Sequence, residues 1–439
     1  MGGRRSGGSG EWVNWAGDQR CRPARILRPG SREELAEAVA AAAAAGQKVK
    51  VAGSGHSFTE AALTAGTMIR LEGLSGVLDA DPGSGLVKVA GGTVLADLNQ
   101  ELAALGLAME NLGDIDRQTI AGAISTGTHG TGARLRNISA QVEGIELVLA
   151  DGSVRHLSAA THPALLRSAR VGLGALGAIA AVTLRCVPAF TLLRIDAPHP
   201  REEVFDSFDE RAEAHEHFEL FTFPYDDAAL VLERNRTEEP PRPRRRAAAY
   251  LNDVVLENWA LGALAGTGKA LPRTIPALSR LAGRLASGSR TSDRSDRVFA
   301  NERRVRFTEM EYGVPREHGA EAARRVVEWV RSNEFPVFFP IEMRVAAGDD
   351  ALLSPSHERD TAYIAVHQYR GMEWRPYFEA VEAIMDDYGG RPHWGKRHFQ
   401  TAATLAPRYP EWEAFQRVRD ELDPDRTFAN EYTDRVLGP

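Results

Sequence analysis

One stretch of the chain, residues 31–57, constrains the fold most, because it joins a helix, a strand and a glycine-rich loop without a break. Ser31 and Glu34 in "SREELAEAV" form a capping box that starts a helix, and Gly46 is suited to end it. "KVKVA" alternates in the manner of a strand, and "GSGHS" follows it directly. The unit predicts mixed helix and sheet structure in which a strand end presents a loop with little side-chain bulk.

A second segment rich in glycine and hydroxyl side chains is "AISTGTHGTG", residues 123–132. Glycines allow backbone N–H groups to turn toward an anion without a Cβ in the way, and Ser and Thr add donors. Each loop alone is a weak signal. Together, in a strand-rich half of the chain, the two loops indicate two walls around one cofactor that contains a pyrophosphate.

Two other motifs resemble nucleotide sites and are rejected. "GLGALG", residues 172–177, matches G-x-G-x-x-G, but the following "AIAAVTLRC" is typical of a strand. A dinucleotide site of the Rossmann type needs a helix there, so this segment is interpreted as close packing and NAD as a minor hypothesis. "AGTGKA", residues 265–270, lacks the first glycine of a P-loop and has Ala270 where that loop needs Ser or Thr.

The composition excludes several classes of protein. The chain has 439 residues, which suggests two domains, and its net charge of −7 creates no global field that favours nucleic acid. The basic run "RNRTEEPPRPRRRAAAY" is expected to be a solvated loop, because its prolines interrupt regular structure. Two cysteines fit a reducing cytoplasm, and no apolar run approaches the ~20 residues needed for stable membrane insertion.

Other local patterns predict a helix, a hairpin, a mobile segment and several strands. "TVLADLNQELAALG" predicts a helix with Thr93 as its N-cap. Asp151 and Gly152 predict a tight hairpin between two strands. "GSRTSDRSDR" is expected to be a mobile segment, whereas "HFELFTFPY", "RRVRFTEMEYGVP" and "FFPIEMRVAAGDD" predict strands.

The order of several motifs makes the chain resemble a known family. "VAGSGHSFT", "STGTHGTG" and "GALGAIAAVTL" lie in the first half, and "RFTEMEY", "IEMR", "HWGK" and "DPDRTFANEY" lie in the second. This set resembles the vanillyl-alcohol-oxidase superfamily, most closely its sugar-1,4-lactone and alditol oxidases. The resemblance implies an α+β fold with an FAD-binding domain at residues 1–190, a substrate-binding cap at 191–399 and a return to the first domain at 400–439.

The resemblance also implies which residues bind FAD. In the family the histidine of the G-x-G-H-S loop is commonly bonded to the flavin, which would give His56 a covalent role; the alternative is a histidine that only hydrogen-bonds in the loop. His129 is expected to be structural. The residues implied to bind the cofactor are Gly53, Ser54, Gly55, His56, Ser57, Gly113, Gly122, Ser125, Gly127, Thr128, Gly130 and Ile179.

Glu342 and Arg344 in "IEMR" lie two positions apart on a predicted strand, so both side chains point to the same face. Two opposite charges on one face can simply neutralise each other. The resemblance implies instead that the pair lines the substrate pocket, where Arg344 holds a substrate oxygen. It also implies that Lys396 in "HWGK" polarises the reacting alcohol.

Three further positions concern the choice of substrate. His367 in "AVHQYRG" matches a pocket histidine of alditol oxidase, but Tyr369 stands where that enzyme has threonine. This departure shifts weight toward a lactone. Asp114 is expected either to bind extra substrate hydroxyls or to cap the next turn. In the family, bulk near position 113 limits access of oxygen, so the resemblance implies that the small Gly113 favours an oxidase. The histidine spacings match no zinc pattern, so no metal is expected.

The resulting hypothesis is an FAD-dependent oxidase of a sugar-1,4-lactone, with molecular oxygen as acceptor and hydrogen peroxide as product. Three alternatives remain open. The first is an alditol oxidase acting on a polyol such as xylitol or sorbitol. The second is a lactone dehydrogenase with another electron acceptor, and the third is a protein that binds FAD or a nucleotide without catalysis.

Overall fold

The computed structural model describes residues 10–242, 261–285, 288–300 and 305–439, with mixed helix and sheet content. The fold is α+β, as predicted. The basic run expected to be a loop begins in a strand, since Arg234–Arg236 end the strand Ala228–Arg236, and residues 243–250 of the run lie outside the described residues. Fourteen helices are present in the described ranges: α1 Arg32–Ala44, α2 Leu95–Ala104, α3 Ile120–Ser125, α4 Pro163–Arg170, α5 Arg201–Asp206, α6 Phe208–Ala214, α7 Leu261–Ala270, α8 Ile275–Leu285, α9 Ser295–Phe299, α10 Gly319–Ser332, α11 Arg375–Asp386, α12 Ala402–Leu405, α13 Trp412–Leu422 and α14 Glu431–Leu437.

Four small or medium sheets occupy the first half of the chain. A parallel sheet has the order β3-β5-β4, an antiparallel sheet has the order β10-β9-β11-β7-β6, and two strand pairs, β1-β2 and β12-β8, complete the set. The strands are β1 Trp12–Val13, β2 Arg20–Cys21, β3 Arg25–Leu27, β4 Val49–Ala52, β5 Thr67–Arg70, β6 Val77–Asp81, β7 Leu86–Ala90, β8 Leu107–Ala108, β9 Val142–Val148, β10 Val154–Ser158, β11 Ala178–Arg185 and β12 Val187–Pro188.

One eight-stranded antiparallel sheet dominates the second half, in the order β16-β13-β15-β14-β18-β19-β17-β20. Its strands are β13 Thr191–Pro200, β14 His217–Thr222, β15 Ala228–Arg236, β16 Ser289–Arg294, β17 Phe307–Pro315, β18 Ile341–Ala346, β19 Thr361–Tyr369 and β20 Arg391–Pro392. The large sheet is the element that carries the charged side chains described below.

The two faces of the large sheet differ sharply in polarity. Met310, Met343 and Val366 belong to a core that includes residues of α10 and α11. Because side chains alternate along a strand, the residues next to these in sequence point to the opposite face. Those residues include Glu309, Glu342 and His367, so the sheet offers a charged surface opposite its apolar core.

The last two helices of the chain join the core of the first half. Phe415 on α13 and Tyr432 on α14 are buried in the same apolar cluster as Val87 and Leu147. The division of the chain at 190/191 and 399/400 stays a prediction. Among the described residues, no helix combines the length and apolar character needed to cross a lipid bilayer.

Helix α1 begins after the predicted N-cap Ser31 and is followed by Gly46 as predicted, but the predicted capping box is only half formed. The Ser31 hydroxyl accepts a hydrogen bond from the Glu34 backbone N–H at 3.1 Å, while the Glu34 carboxylate accepts one from Gly30. Gly46 has a φ of +65°, a conformation that favours glycine. The Asp151-Gly152 hairpin joins β9 and β10. These local signals were sufficient because neighbouring residues supply every partner involved.

Two local predictions are wrong. Thr93 is not the N-cap of α2, since Val94 holds that position and the Thr93 hydroxyl donates to the carbonyl of Ala90 at 2.7 Å. "GSRTSDRSDR" is not an irregular segment: it forms β16 and α9, and β16 pairs with β13 over six residue positions from Thr191 to Asp196. In both cases a partner distant in sequence overrides the local pattern.

Candidate active site

A cavity of about 640 Å³ lies between the glycine-rich loops of the first half and the charged face of the large sheet. Its wall includes the loop at 53–57 on one side and Glu342, Arg344 and Lys396 on the other. The volume is within the range of small-molecule and cofactor sites. Most residues predicted separately for cofactor and substrate therefore face one continuous space.

The first glycine-rich loop forms a wall with little side-chain bulk. A Cβ added at Gly53 would overlap the Thr119 hydroxyl, and Gly55 has a φ of +75° with Trp12 close by. No described residue accepts a hydrogen bond from the backbone N–H groups of Ser54, Gly55 or His56. Backbone N–H groups without a protein acceptor, on a loop with little side-chain bulk, suit a phosphorylated group. This wall therefore fits the predicted FAD.

Of the other seven predicted cofactor residues, five line the cavity and two do not. Gly113, Gly122, Ser125, Thr128 and Ile179 line the cavity, as does His129. Gly127 and Gly130 do not line it. A Cβ at Gly127 would meet the Pro355 ring, and one at Gly130 would overlap Asn111. Those two glycines permit close packing behind the wall, so the structure brings ten of the twelve predicted cofactor residues to the cavity.

Lys50 is a cavity residue that sequence reasoning missed. Its side chain is buried, and its ammonium donates to the carbonyl oxygens of Phe428 at 3.0 Å and Gly174 at 3.4 Å. Burial lowers the pKa of Lys50 to about 8. The signal was available, because Lys50 interrupts the apolar side of "VKVA" immediately before the loop. A buried ammonium at this wall suits an anionic group of a cofactor.

His56 lies in the cavity wall with its ring 5.5 Å from that of Trp15, at an interplanar angle of 23°. Burial, with a contribution from the charge of Arg117, lowers the pKa of His56 to about 4. The imidazole is therefore neutral at ordinary pH. A neutral ring nitrogen retains the lone pair that a covalent bond to a cofactor requires.

Arg344 is the centre of a buried ion cluster on the large sheet. Its Nη2 pairs with the Glu342 carboxylate and lies 3.4 Å from Asp114, while its Nε donates to Glu219 at 3.0 Å. Burial opposes the charge of Arg344, but the three carboxylates hold its pKa well above the ordinary value. Burial raises the pKa of Glu342 to about 7, although Arg344 counteracts this effect.

Lys396 is a further cation that faces the cavity, in addition to Lys50 and Arg344. Its ammonium lies 2.6 Å from Glu309 and 2.9 Å from Glu311, two carboxylates on β17. Burial alone would lower the pKa of Lys396, but the two carboxylates raise it above its ordinary value. Lys396 therefore remains an ammonium and acts as a fixed positive charge, because it cannot easily give up its proton.

His367 belongs to the same network, whereas Tyr369 does not reach the cavity. The His367 Nε2 lies 3.2 Å from Glu309, and its Nδ1 lies 3.2 Å from the Pro340 carbonyl. Burial lowers the pKa of His367, but Glu309 outweighs it and the net shift is upward. The Tyr369 ring instead stacks on Phe339 at 6.3 Å, and Phe339 lines the cavity whereas Tyr369 does not. The predicted substrate contact of Tyr369 therefore finds no support here.

One group of side chains has the chemistry of metal ligands. Ligand atoms of His129, Glu311 and His393 lie within 4.8 Å of one another, and all three residues are buried. The Lys396 ammonium lies 2.9 Å from the same Glu311 oxygen that His129 approaches at 3.2 Å. Lysine already supplies the positive charge at this carboxylate, so these residues are treated as part of the Lys396 network.

The charged residues form a band across five adjacent strands. Glu219 lies directly opposite Arg344, and Glu309 lies directly opposite His367, in the sheet register. Glu219, Glu309 and Glu311 had received no role from the sequence. The available signal was charge at alternate positions within apolar strands, "FTEMEY" for Glu309 and Glu311. What the sequence lacked was the strand order that brings them together.

The arrangement suits the oxidation of a hydroxyl-bearing carbon. Two fixed cations, Arg344 and Lys396, face the same cavity and can hold a substrate oxygen as negative charge develops on it. Glu342 can accept a hydrogen bond in its ionised form. The opposite wall, at Gly53–Ser57, offers space and donors for the cofactor that accepts the electrons.

Two family models match the chain. Residues 23–158 match an FAD binding domain, and residues 182–436 match a D-arabinono-1,4-lactone oxidase family. The match to the second family covers more than half of the chain and includes Arg344, Lys396 and the band of charge across the large sheet.

Curated relatives match almost the whole chain. An L-gulono-1,4-lactone dehydrogenase of Mycobacterium tuberculosis is 50% identical over 428 residues, covering 98% of this chain and 99% of the relative. An L-gulonolactone oxidase of Mus musculus is 34% identical, covering 97% and 98%. An alditol oxidase of a Streptomyces species is 31% identical with the same coverage. All three names describe oxidoreductases of sugar lactones or polyols.

Solved structures show the same fold at lower sequence identity. A solvent-stable cholesterol oxidase superposes with a TM-score of 0.83, at 18% identity, over 98% of both chains. A cholesterol oxidase from B. sterolicum gives a TM-score of 0.81 at 17% identity, over 99% and 97%. The likeness concerns the two-domain fold of the vanillyl-alcohol-oxidase type and says nothing about the substrate.

Proposed function

This chain belongs to the D-arabinono-1,4-lactone oxidase family of FAD-dependent oxidoreductases, and we propose that it oxidises a sugar-1,4-lactone at a hydroxyl-bearing carbon. The observation that carries the proposal is the convergence of Arg344 and Lys396 on the cavity that the FAD-side loops also line. Bound FAD supplies the acceptor for the hydride. The proposed final acceptor is molecular oxygen, with hydrogen peroxide as product.

The roles of the residues follow from their charges. Arg344 binds an oxygen of the lactone, and the Lys396 ammonium polarises the reacting hydroxyl. Ionised Glu342 pairs with the Arg344 guanidinium and accepts a hydrogen bond from a hydroxyl of the substrate. His367 shares Glu309 with Lys396 and so helps to fix the position of the ammonium. Arg344 and Lys396 are already protonated, so ionised Glu342 is the proposed acceptor of the hydroxyl proton.

The small size of Gly113 supports molecular oxygen as the acceptor. Gly113 lines the cavity, and a Cβ there would lie 3.2 Å from the His129 carbonyl oxygen. A larger residue here would add bulk to the cavity wall, and the absence of a side chain is the basis for proposing a small acceptor such as oxygen. Stopped-flow measurement of oxygen-dependent reoxidation tests this assignment: an oxidase is expected to reoxidise rapidly in air, and a dehydrogenase only with a dye or protein acceptor.

The substrate assignment is tested with purified yellow protein and peroxide detection. We expect turnover of L-gulono-, L-galactono- or L-arabinono-1,4-lactone, measured in parallel with a dye-reduction assay that detects a dehydrogenase. Xylitol and sorbitol provide the comparison with polyols. Absence of turnover of every lactone in both assays would contradict the proposal.

An alditol remains the second candidate, because Asp114 gives the cavity an additional carboxylate. Its Oδ1 lies 3.4 Å from Arg344 Nη2, and the side chain lines the cavity. A carboxylate there can accept hydrogen bonds from the several hydroxyls of a linear polyol. A higher kcat/KM for xylitol or sorbitol than for every lactone would favour this candidate.

We propose that His56 forms a covalent bond to the flavin, since its imidazole is neutral and lies in the cofactor wall. The wild-type protein is expected to remain yellow after acid precipitation, whereas His56→Ala should release all of its flavin into the supernatant. His162→Ala, at a half-buried position that does not line the cavity, is the matched control and should keep its pellet yellow. Release of flavin from the wild-type protein would contradict the covalent bond.

A further inference from the structure

We propose that Glu219 is a positioning residue for Arg344: the Glu219–Arg234 pair, behind the cavity wall, fixes the Arg344 guanidinium in its substrate-binding orientation. This inference rests on the proposed function, because it concerns the residue that binds the lactone. One part of it does not depend on that function: the Glu219 carboxylate holds the Arg344 Nε–H.

The sheet register places Glu219 where it can hold Arg344. Glu219 on β14 is directly opposite Arg344 on β18, and β15 lies on the other side of β14. The Glu219 Oε2 accepts from Arg344 Nε at 3.0 Å, and its Oε1 accepts from Arg234 Nη2 at 2.6 Å. Each carboxylate oxygen therefore binds a different guanidinium group.

Glu219 and Arg234 act from behind the cavity wall. Glu219 is 3% exposed and Arg234 is 2% exposed, and neither is among the residues that line the cavity. Arg344, by contrast, lines it. Glu219 contacts Arg344 and does not itself line the cavity, which distinguishes a positioning role from a catalytic one.

Glu219 restrains a different atom of Arg344 than Glu342 and Asp114 do. Glu342 and Asp114 both approach Arg344 at Nη2, whereas Glu219 alone contacts Nε. A guanidinium held only at one terminal nitrogen can rotate about the end of its side chain. A second contact at Nε fixes the plane of the fork, which decides where its remaining N–H groups point.

The charge of Glu219 is maintained across the working pH range. Burial opposes its ionisation, but Arg234 and Arg344 hold the pKa of Glu219 down to about 2. Arg234 thereby serves as a counter-ion that keeps Glu219 available to Arg344. A buried ion pair is weak evidence for stability in itself, so its position behind Arg344 is the informative observation.

The test uses Glu219→Gln in the FAD-loaded protein, with Glu219→Asp as the conservative variant and Glu233→Gln as the matched control. Glu233 lies on the adjacent strand and pairs with Arg211 at 3.3 Å, away from Arg344. A charged hydrogen bond contributes about 1.5–3 kcal/mol, so we expect kcat/KM of the accepted substrate to fall about 10- to 100-fold in Glu219→Gln. Glu219→Asp should recover part of this loss, and Glu233→Gln should keep the wild-type value.

A pH profile separates positioning from a general loss of structure. Five charged groups from the surrounding elements face Glu342: Arg344, Asp114, Glu219, His367 and Lys396. The pKa of Glu342 is about 7, and the role proposed for Glu342 requires the ionised form, so wild-type kcat/KM should fall as pH drops through that value. Removing the negative charge of Glu219 lowers the pKa of Glu342, and the acid limb should therefore move to lower pH in Glu219→Gln but not in Glu233→Gln.

A measurement independent of turnover follows the Arg344 Nε–H itself. In protein labelled with ¹⁵N-arginine, its signal is assigned by its absence in Arg344→Lys. We expect slow hydrogen exchange in the wild-type protein and in Glu233→Gln, and faster exchange in Glu219→Gln. Thermal unfolding of each variant establishes that the compared samples are folded.

The outcomes distinguish this proposal from the proposed function. Unchanged exchange of the Arg344 Nε–H in folded Glu219→Gln would overturn the positioning role whatever the substrate is. Changed exchange with unaltered kcat/KM and pH profile would overturn it as well. If the wild-type protein oxidises no substrate tested, the proposed function fails, while the exchange measurement still decides whether Glu219 holds Arg344.

Discussion

Replacing Lys396 by methionine is expected to lower kcat of the accepted lactone about 100- to 1000-fold, the usual effect of losing one preorganised electrostatic group. Lys396 is held 2.6 Å from Glu309 and 2.9 Å from Glu311 and faces the cavity. Methionine keeps the approximate length of the side chain but removes the charge. Steady-state kinetics with saturating substrate measures the effect on kcat directly.

The same substitution should also destabilise the protein, because it leaves two buried carboxylates without their shared cation. Breaking a buried ion pair costs about 3–5 kcal/mol. Lys88→Met is the matched control, since Lys88 pairs with Glu146 at a partly exposed position outside the cavity. Adding Glu309→Gln to Lys396→Met should recover part of the lost stability without recovering kcat. Wild-type kcat in folded Lys396→Met would contradict the assigned role.

Replacing Arg344 by methionine is the second substitution with a large expected effect, a fall in kcat/KM of about 1000-fold. It removes the substrate-binding cation and leaves Glu219, Glu342 and Asp114 as neighbouring carboxylates. Arg344 lowers the pKa of Glu342, so its removal should raise that pKa and move the acid limb of the pH profile to higher pH. Glu219→Gln should move the same limb in the opposite direction.

A matched control for Arg344→Met is Arg170→Met. Arg170 is also buried and pairs with Asp350 at 2.7 Å, but it does not line the cavity. Both substitutions are expected to reduce stability, measured by thermal unfolding in the FAD-loaded state. Only Arg344→Met should reduce kcat/KM at a temperature where both variants are folded. Equal losses in the two variants would show that the effect arises from the fold and not from the site.

The local signals in the sequence were reliable where the partners are close along the chain. Ser31 caps α1, Gly46 adopts positive φ, and the strand after "GLGALG" rules out a Rossmann loop. Thr93 shows the limit, because its hydroxyl bonds to the Ala90 carbonyl and accepts from the Gly76 backbone, 17 residues away. A capping preference of about 1 kcal/mol is readily outweighed by such contacts.

The candidate site shows the same division. The spacing of Glu342 and Arg344 predicted one face of one strand, and both side chains do line the cavity. Tyr369 lies two positions after His367 on the same strand, yet it stacks on Phe339 and does not line the cavity. Period-two alternation gives the face on which a side chain lies, but it does not say how far along that face the cavity extends.

By itself the sequence predicted mixed helix and sheet structure and two glycine-rich loops that suit a pyrophosphate, because these depend on residues close together in the chain. The α+β fold with FAD and the roles of Arg344 and Lys396 were predicted from the resemblance of the motifs to a known family. The tertiary structure alone decided which carboxylates hold those cations. Glu219 is 125 residues from Arg344, and Glu309 and Lys396 belong to separate motifs. The strand order β15-β14-β18-β19-β17 brings them together, and such order is set by packing of the whole sheet and by no local preference.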